Sequence, residues 1–226
     1  MIELKNVFLG YNKEYFALYD INLKLENGEK VALVGESGSG KTALLRVIAG
    51  LDKPQKGEIY FDDKLISSVD FKKDVSLGYL SSKAVFYESK SVYKNLVWAL
   101  KIRGVDKALW DEKVCKVLEE FEITNLKNEK VGRLCRSDRR LVQMARLALR
   151  PLDVLLCDDI EIEGDSKTCE KLFVALQKLI NGKKENKIVV LACKNLNACK
   201  ELVTSQIKLV SGSLEVEEWK QKSSHI

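Results

Sequence analysis

Histidine is nearly absent from this chain: the one copy in 226 residues is His225, close to the last residue. Chemistry that needs an imidazole is therefore excluded over the rest of the sequence. Proline is almost as scarce, with two copies, and no proline-rich linker or low-complexity tract divides the chain. No apolar run approaches the roughly 20 residues that a membrane span requires. No charged segment followed by an apolar stretch opens the chain, so no signal peptide is expected. The six cysteines form no C-x-x-C pair, have no histidine close by, and in several cases sit inside apolar runs. The expectation is reduced, buried thiols of a cytosolic protein, not a zinc site or a disulfide framework. Charge of one sign is also missing: 38 basic and 33 acidic residues are interspersed and leave a net +5. Such a balance describes a solvated surface, and it is compatible with a position near an anionic membrane.

What is present is ordinary for a soluble α/β protein, with 46% hydrophobic and 31% charged residues. A length of 226 residues allows one large domain or two small ones. Against that background one stretch stands out. Gly35-Glu36-Ser37-Gly38-Ser39-Gly40-Lys41-Thr42 is a complete G-x-x-x-x-G-K-[ST] phosphate-binding loop. Its glycines let successive backbone N–H groups turn toward phosphates, the lysine reaches the β- and γ-phosphates, and the threonine hydroxyl holds Mg²⁺. The apolar run at 31–34 reads as a buried parallel strand before the loop, and residues 43–49 read as a helix after it, ended by Gly50 with Pro54 beyond. The helix N-terminus adds a dipole favourable to an anion. The chain is expected to bind a nucleoside triphosphate.

Period-two alternation at 2–8 and 21–25, with a turn at Asn27-Gly28, predicts strands with one buried face, continued at 57–61 and 77–80. From about residue 91 the period becomes helical. Trp110, Val114, Val117, Leu118 and Phe121 share one face, with Asp106 as an N-cap, and helices are also expected at 91–103 and 137–150. Strands return at 154–158 and 188–192, separated by a helix over 166–181, and a hairpin turning at Ser211-Gly212 closes the pattern. The expected fold is an α/β P-loop core with an antiparallel N-terminal β edge and a helical insertion. It forms one nucleotide-binding domain over 1–217: core and edge at 1–82 and 146–217, helical subdomain at 83–145, and a tail at 218–226.

This arrangement resembles the ATP-binding subunit of an ABC (ATP-binding cassette) transporter over residues 1–217. Tyr11 stands where that family carries an adenine-stacking aromatic, and residues 48–59 match the family's wording after the phosphate loop. Asp158 matches the aspartate that orders Mg²⁺ through water, and Asp165 the one that contacts the partner cassette. The resemblance implies Mg²⁺ and ATP bound through Tyr11, Gly35, Ser37, Gly38, Ser39, Gly40, Lys41, Thr42 and Ala43. Thr42 and Asp158 serve the metal, with Asp159 and Lys41 as the catalytic pair.

Four positions depart from the family. Ser82 replaces its sensor glutamine, and no glutamine occurs between residues 56 and 142. Leu134-Cys135-Arg136-Ser137-Asp138 stands for the Leu-Ser-Gly-Gly-Gln signature. Asp159 replaces the general-base glutamate, and Cys193 the switch histidine. A carboxylate drawn back by one methylene, roughly 1.5 Å, is enough to slow a reaction by on the order of 100-fold. Loss of the histidine removes a group that would stabilise charge developing on the γ-phosphate. Slow hydrolysis is expected. Arg136 reads either as a new phosphate contact across a cassette dimer or as one of a surface cluster with Arg139 and Arg140, partly neutralised by Asp138.

The resemblance implies a peripheral subunit at the cytoplasmic face of a membrane. It would pair with another cassette of the same or a different kind and act on transmembrane subunits, and residues 91–96 resemble the segment beside them. The alternative is a non-catalytic ATP-sensing cassette. A soluble small-molecule kinase would need an acceptor site that the chain does not display. Relatives acting on nucleic acid would need a coiled-coil insertion or a second cassette, so no nucleic-acid partner is expected.

Overall fold

Residues 2, 4, 7 and 9 are apolar and fall on one face of an extended chain. In the computed structural model they form the buried side of β1 (Ile2–Gly10), which pairs antiparallel with β2 (Phe16–Leu25). The structure describes residues 1–10, 16–71, 73–160, 165–182, 184 and 186–220, with the backbone alone for 216–220. The chain continues through β3 (Lys30–Val34), α1 (Lys41–Ile48), β4 (Lys56–Phe61), β5 (Lys64–Leu65) and β6 (Leu77–Leu80). Three helices follow: α2 (Val92–Ile102), α3 (Trp110–Glu120) and α4 (Arg136–Ala148). The remainder is β7 (Val154–Cys157), α5 (Ser166–Ile180), β8 (Ile188–Cys193), β9 (Ser205–Val210) and β10 (Ser213–Lys220).

Two compact units result. The first comprises Met1–Tyr79, Leu152–Glu161 and Glu185–Ile226. It carries a four-stranded antiparallel sheet, ordered β2-β1-β4-β5, and a six-stranded sheet, ordered β10-β9-β3-β8-β7-β6. β3 pairs parallel with both β8 and β9, and β7 pairs parallel with β8. Parallel strands covered on both faces are apolar at nearly every position. β7 and β8 meet that condition, since every residue of each is buried. Leu33, Leu45, Ile48, Leu156, Val190 and Leu209 belong to a core shared with the buried face of β1. β10 pairs with β9 as far as Lys220, past the tail boundary read from the sequence.

The second unit comprises Leu80–Pro151 and Ile162–Lys184. Its helices bury 3.6-period stripes: Val114, Val117 and Leu118 from α3, Leu141, Val142 and Ala145 from α4, and Leu172, Leu176 and Leu179 from α5. α4 lies against α5, and α2 against α3. Ser91 caps α2 by accepting from the Lys94 N–H at 3.2 Å, and Asp165 caps α5 by accepting from the Thr168 N–H at 2.8 Å. Asp106 caps a 3₁₀ turn over Lys107–Leu109, accepting from the Ala108 N–H, and α3 begins one turn later than the sequence pattern placed the cap. Among the described residues no helix is long and apolar enough to cross a membrane.

Candidate functional site

The loop between β3 and α1 is held by backbone bonds from three directions. The Gly35 N–H donates to the Cys193 carbonyl at 3.2 Å, the Ser39 N–H to the Glu36 carbonyl, and the Gly212 N–H to the Ser39 carbonyl at 3.0 Å. Gly40 lies at φ 104° as the residue before α1, with its carbonyl accepting the first helical bond from the Leu44 N–H. A side chain there would meet the Ala17 carbonyl at 2.4 Å, and one at Gly35 would meet the Leu209 carbonyl at 2.4 Å. The two glycines are required by close approach, and the chain could not take this path with any other residue.

Several features of the loop fit an anion. The Lys41 ammonium donates to the Gly35 carbonyl and, at 2.8 Å, to the Glu36 carbonyl, so a cation is folded over the mouth of the loop. The Ser39 hydroxyl is buried with no hydrogen-bond partner. The free N-terminus of α1 adds unsatisfied N–H groups beside it. Ser37 and Gly38 sit at the exposed tip, and Ala43 is buried in the first turn of the helix.

A carboxylate closes the site from β7, the next strand but one from β3. Asp158, 5% exposed, follows β7, and its Oδ1 accepts from the Thr42 hydroxyl at 2.9 Å across 116 residues of sequence. Its other oxygen accepts from the Tyr79 hydroxyl at 3.4 Å, and burial, together with that carboxylate, pushes the Tyr79 phenol well above its usual range. Tyr79 was not anticipated from the sequence, where it reads only as a strand residue. Alternation along β6 buries Gly78 and Leu80 and leaves Tyr79 half-buried. A hydroxyl and a buried carboxylate sharing one hydrogen bond form an oxygen donor set that suits Mg²⁺.

Asp159 is exposed and takes a left-handed backbone at φ 55°, with the chain pinned on its far side by the Ile160 N–H bond to the Ala192 carbonyl. Asparagine and aspartate tolerate that conformation better than longer side chains do. Tyr11 lies outside the described residues.

The residues expected to serve the signature belong to the second unit. Arg136 opens α4 and is exposed. Arg139 is not neutralised by Asp138 but by a two-pronged ion pair with Glu88, at 2.6 and 2.7 Å. Arg140 is turned inward to the Ser81 carbonyl, and Gln143 donates to the same carbonyl at 3.2 Å. Within the surface cluster that is one of the two readings of Arg136, Arg139 and Arg140 therefore have distinct partners. Ser82 is an exposed loop residue next to this bonded Ser81. Cys157, Cys193 and Cys199 are buried free thiols, as expected, whereas Cys135 is exposed.

The same unit carries a cleft of about 460 Å³ lined by Tyr87, Trp98, Ile102, Arg103 and Arg146, among others. Tyr87 and Trp98 meet edge-to-face at 5.4 Å, and Arg146 stacks over Phe86 while donating to the Val85 carbonyl. Buried Asn95 fixes the rim by exchanging hydrogen bonds with the Tyr87 backbone, its amide oxygen accepting from the Tyr87 N–H at 2.9 Å. Val85, Tyr87, Trp98 and Ile102 remain exposed.

A glycine-rich loop between a parallel strand and a helix, closed by a carboxylate from the next strand but one, defines a phosphate-loop nucleotide-binding protein. The chain belongs to the ABC transporter family, which residues 18–160 match. It is similar to the trehalose/maltose import ATP-binding protein MalK of Thermococcus litoralis, with 33% identity over 171 residues, 74% of this chain and 46% of the relative. It is also similar to the methionine import ATP-binding protein MetN of Clostridioides difficile, with 34% identity over 79% of this chain and 57% of the relative. The chain thus spans about half the length of these relatives. Among solved structures it is similar to the ATP-binding cassette MJ0796 in a dimeric post-hydrolysis state bound to ADP and Pi. The TM-score is 0.84 at 28% identity, covering 97% of this chain and 98% of that one.

Proposed function

We propose that this chain is the ATP-binding subunit of an ABC transporter, a cassette that binds Mg-ATP, hydrolyses it slowly and gates transmembrane partners from the cytoplasmic face of a membrane. The observation that carries the reading is the Thr42–Asp158 hydrogen bond beside a loop with an orphaned buried hydroxyl and a folded-back lysine. Gly35, Ser37, Gly38, Ser39, Gly40, Lys41, Thr42 and Ala43 hold the phosphates, Tyr11 the base, and Thr42 with Asp158 the metal. Mg²⁺, when bound, neutralises phosphate charge. Thr42 presents its hydroxyl oxygen to the metal, and Asp158 holds that oxygen in place, itself positioned by Tyr79. Lys41 turns from its carbonyl partners to a phosphate oxygen.

Removing the threonine hydroxyl isolates the metal contribution. In Thr42→Val, ATP affinity without Mg²⁺ should be close to wild type, whereas the gain on adding Mg²⁺ should shrink by about tenfold, the loss of roughly 1.5 kcal/mol from one bond to a charged group. Isothermal calorimetry with and without Mg²⁺ measures both quantities. An undiminished Mg²⁺ gain would take Thr42 out of the metal site.

Asp159 acts as the base that orients and deprotonates the attacking water. Its short side chain and the absence of a histidine at position 193 predict turnover far below the ~10 s⁻¹ of an ordinary enzyme. Lengthening the side chain in Asp159→Glu should raise the rate by on the order of tenfold, less than the full cost of a 1 Å misplacement. The left-handed backbone opposes the longer residue and the other departures remain. Phosphate release under single-turnover conditions tests this, and an unchanged rate would mean that Asp159 is not the limiting group.

The cleft beside Trp98 supports the partner half of the proposal. Its exposed aromatic and aliphatic rim is the kind of surface that takes an apolar anchor from another chain, and Asn95 in its lining belongs to residues 91–96, which resemble the family's neighbour of membrane subunits. Pairing with a second cassette, of the same or a different kind, completes the proposed assembly, with Asp165 and Arg136 facing that partner.

A further inference from the structure

Cys193 and Cys199 are two thiols that no step of the nucleotide chemistry uses. Cys193 ends β8, and Cys199 follows the 3₁₀ turn Leu196–Ala198; both are nearly inaccessible, at 2% and 1% exposure. Their sulfurs lie 3.6 Å apart in an S–H···S contact. A disulfide requires about 2.05 Å, so the sulfurs must approach by about 1.5 Å, a movement within reach of side-chain rotation and a small adjustment of the intervening turn. The hydrogen bond with the Cys193 sulfur, together with burial, holds the Cys199 thiol well above the ordinary range, and either sulfur can donate in the contact.

The backbone at Cys193 is part of the nucleotide site. Its carbonyl accepts from Gly35, the first glycine of the phosphate loop, and Cys193 stands beside Val34 in the parallel register of β3 and β8. One residue earlier, the Ala192 carbonyl accepts from Ile160, directly after Asp159. A displacement of the end of β8 therefore reaches both the loop and the aspartate pair through single hydrogen bonds.

We propose that Cys193 and Cys199 form a reversible dithiol–disulfide couple, oxidised by a small hydroperoxide, whose state sets the conformation and nucleotide affinity of the phosphate loop. In the forward direction the Cys193 thiolate attacks a peroxide oxygen. The O–O bond breaks, Cys193 becomes a sulfenic acid, and the departing hydroxide takes a proton to leave as water. The Cys199 sulfur then attacks the Cys193 sulfur; the S–S bond forms, the S–O bond breaks, and the hydroxyl leaves as a second water with the Cys199 proton. Two thiols lose two electrons, and the peroxide gains them. A dithiol reductant reverses the step by exchange. Burial favours a small oxidant, because sulfurs in residues only 2% and 1% exposed exclude a glutathione-sized disulfide.

The affinity half of this inference rests on the proposed nucleotide reading, and the experiment keeps the two apart. The reduced full chain is treated with hydrogen peroxide, alkylated after denaturation and digested with trypsin. Lys194 separates the two cysteines, so the couple appears as peptides 188–194 and 195–200 joined by a bond, with the mass of two hydrogens missing and separation restored by dithiothreitol. Hydrogen exchange over residues 31–42 should change on oxidation, and ATP affinity should fall by on the order of tenfold and recover on reduction, a size typical of coupling between sites. Cys199→Ser should abolish the linkage and both responses. Two thiols that remain free for alkylation, or a linkage to another cysteine, would overturn the couple. Linkage with unchanged loop exchange would overturn its control of the loop. A reduced chain that fails to bind ATP would refute the nucleotide reading, while linkage and loop exchange still decide the couple.

Discussion

Replacing Lys41 with alanine should weaken ATP binding by ~10- to 150-fold, the loss of roughly 1.5–3 kcal/mol carried by a charge-assisted phosphate contact. The Lys41 ammonium already sits over the loop, 2.8 Å from the Glu36 carbonyl, so little reorganisation is needed before it meets a phosphate oxygen. Its aliphatic stem leaves the first residue of α1, a position that alanine fills without harm because alanine is the best helix former. The substitution therefore removes charge without disturbing the backbone of the loop. Two carbonyls lose a donor, and at the exposed Glu36 carbonyl water replaces it. Calorimetric titration of the variant with Mg-ATP, alongside its unfolding midpoint, measures the effect. Wild-type affinity in a folded Lys41→Ala protein would show that the loop does not bind phosphate in the proposed manner.

Lys41 could be picked out from sequence because the phosphate loop is contiguous: spacing alone places glycines, lysine and threonine around one point. The fully apolar strands β7 and β8 were legible for a similar reason, since a strand buried on both faces has no polar residue to confuse the pattern. Legibility failed where long-range contacts decide. Tyr79 bonds to Asp158 through a neighbouring strand, and nothing in the words around it signals that role. One of the two readings of Arg136 puts Arg139 in a surface cluster partly neutralised by Asp138, yet the fold pairs Arg139 with Glu88, 51 residues away, because a helix places residues 138 and 139 about 100° apart. β2 starts at Phe16, well before its alternation becomes regular at 21–25. Asn6 of β1 and Asp20 of β2 adopt positive φ, and Asn6 donates its side-chain amide to Asp20 and its backbone N–H to the Asn22 side chain, so irregular register masks the period of two. The sulfur contact between Cys193 and Cys199 spans a 3₁₀ turn that has no strong sequence signature.

The largest single-residue effect should come from Gly40→Ala. Gly40 has a φ of 104°, outside the regions that L-residues adopt with ease, and a methyl group there would lie 2.4 Å from the Ala17 carbonyl. That neighbour is backbone, and β2 fixes it: the Leu18 side is paired with Leu9 of β1, and the Tyr19 N–H is bonded to the Gly212 carbonyl at 2.8 Å. The clash cannot be relieved by a rotamer change, so the loop or the strand must shift. Strain and displacement together should cost about 2–4 kcal/mol, a fall in unfolding midpoint on the order of 10 °C for a chain of this size. ATP binding should be lost by at least ~100-fold, since the first turn of α1 and the Lys41 ammonium move with residue 40. Gly38→Ala separates the two causes. Gly38 also has positive φ, 82°, but a methyl group there meets nothing within 4 Å, so it carries backbone strain of about 1 kcal/mol and no clash. Thermal unfolding and calorimetry on both variants should therefore rank Gly40→Ala far below Gly38→Ala in stability and in affinity. Equal losses would mean that conformation alone governs the loop and that its packing against β2 contributes nothing. A Gly40→Ala protein with the wild-type midpoint would refute the close approach of the loop to Ala17.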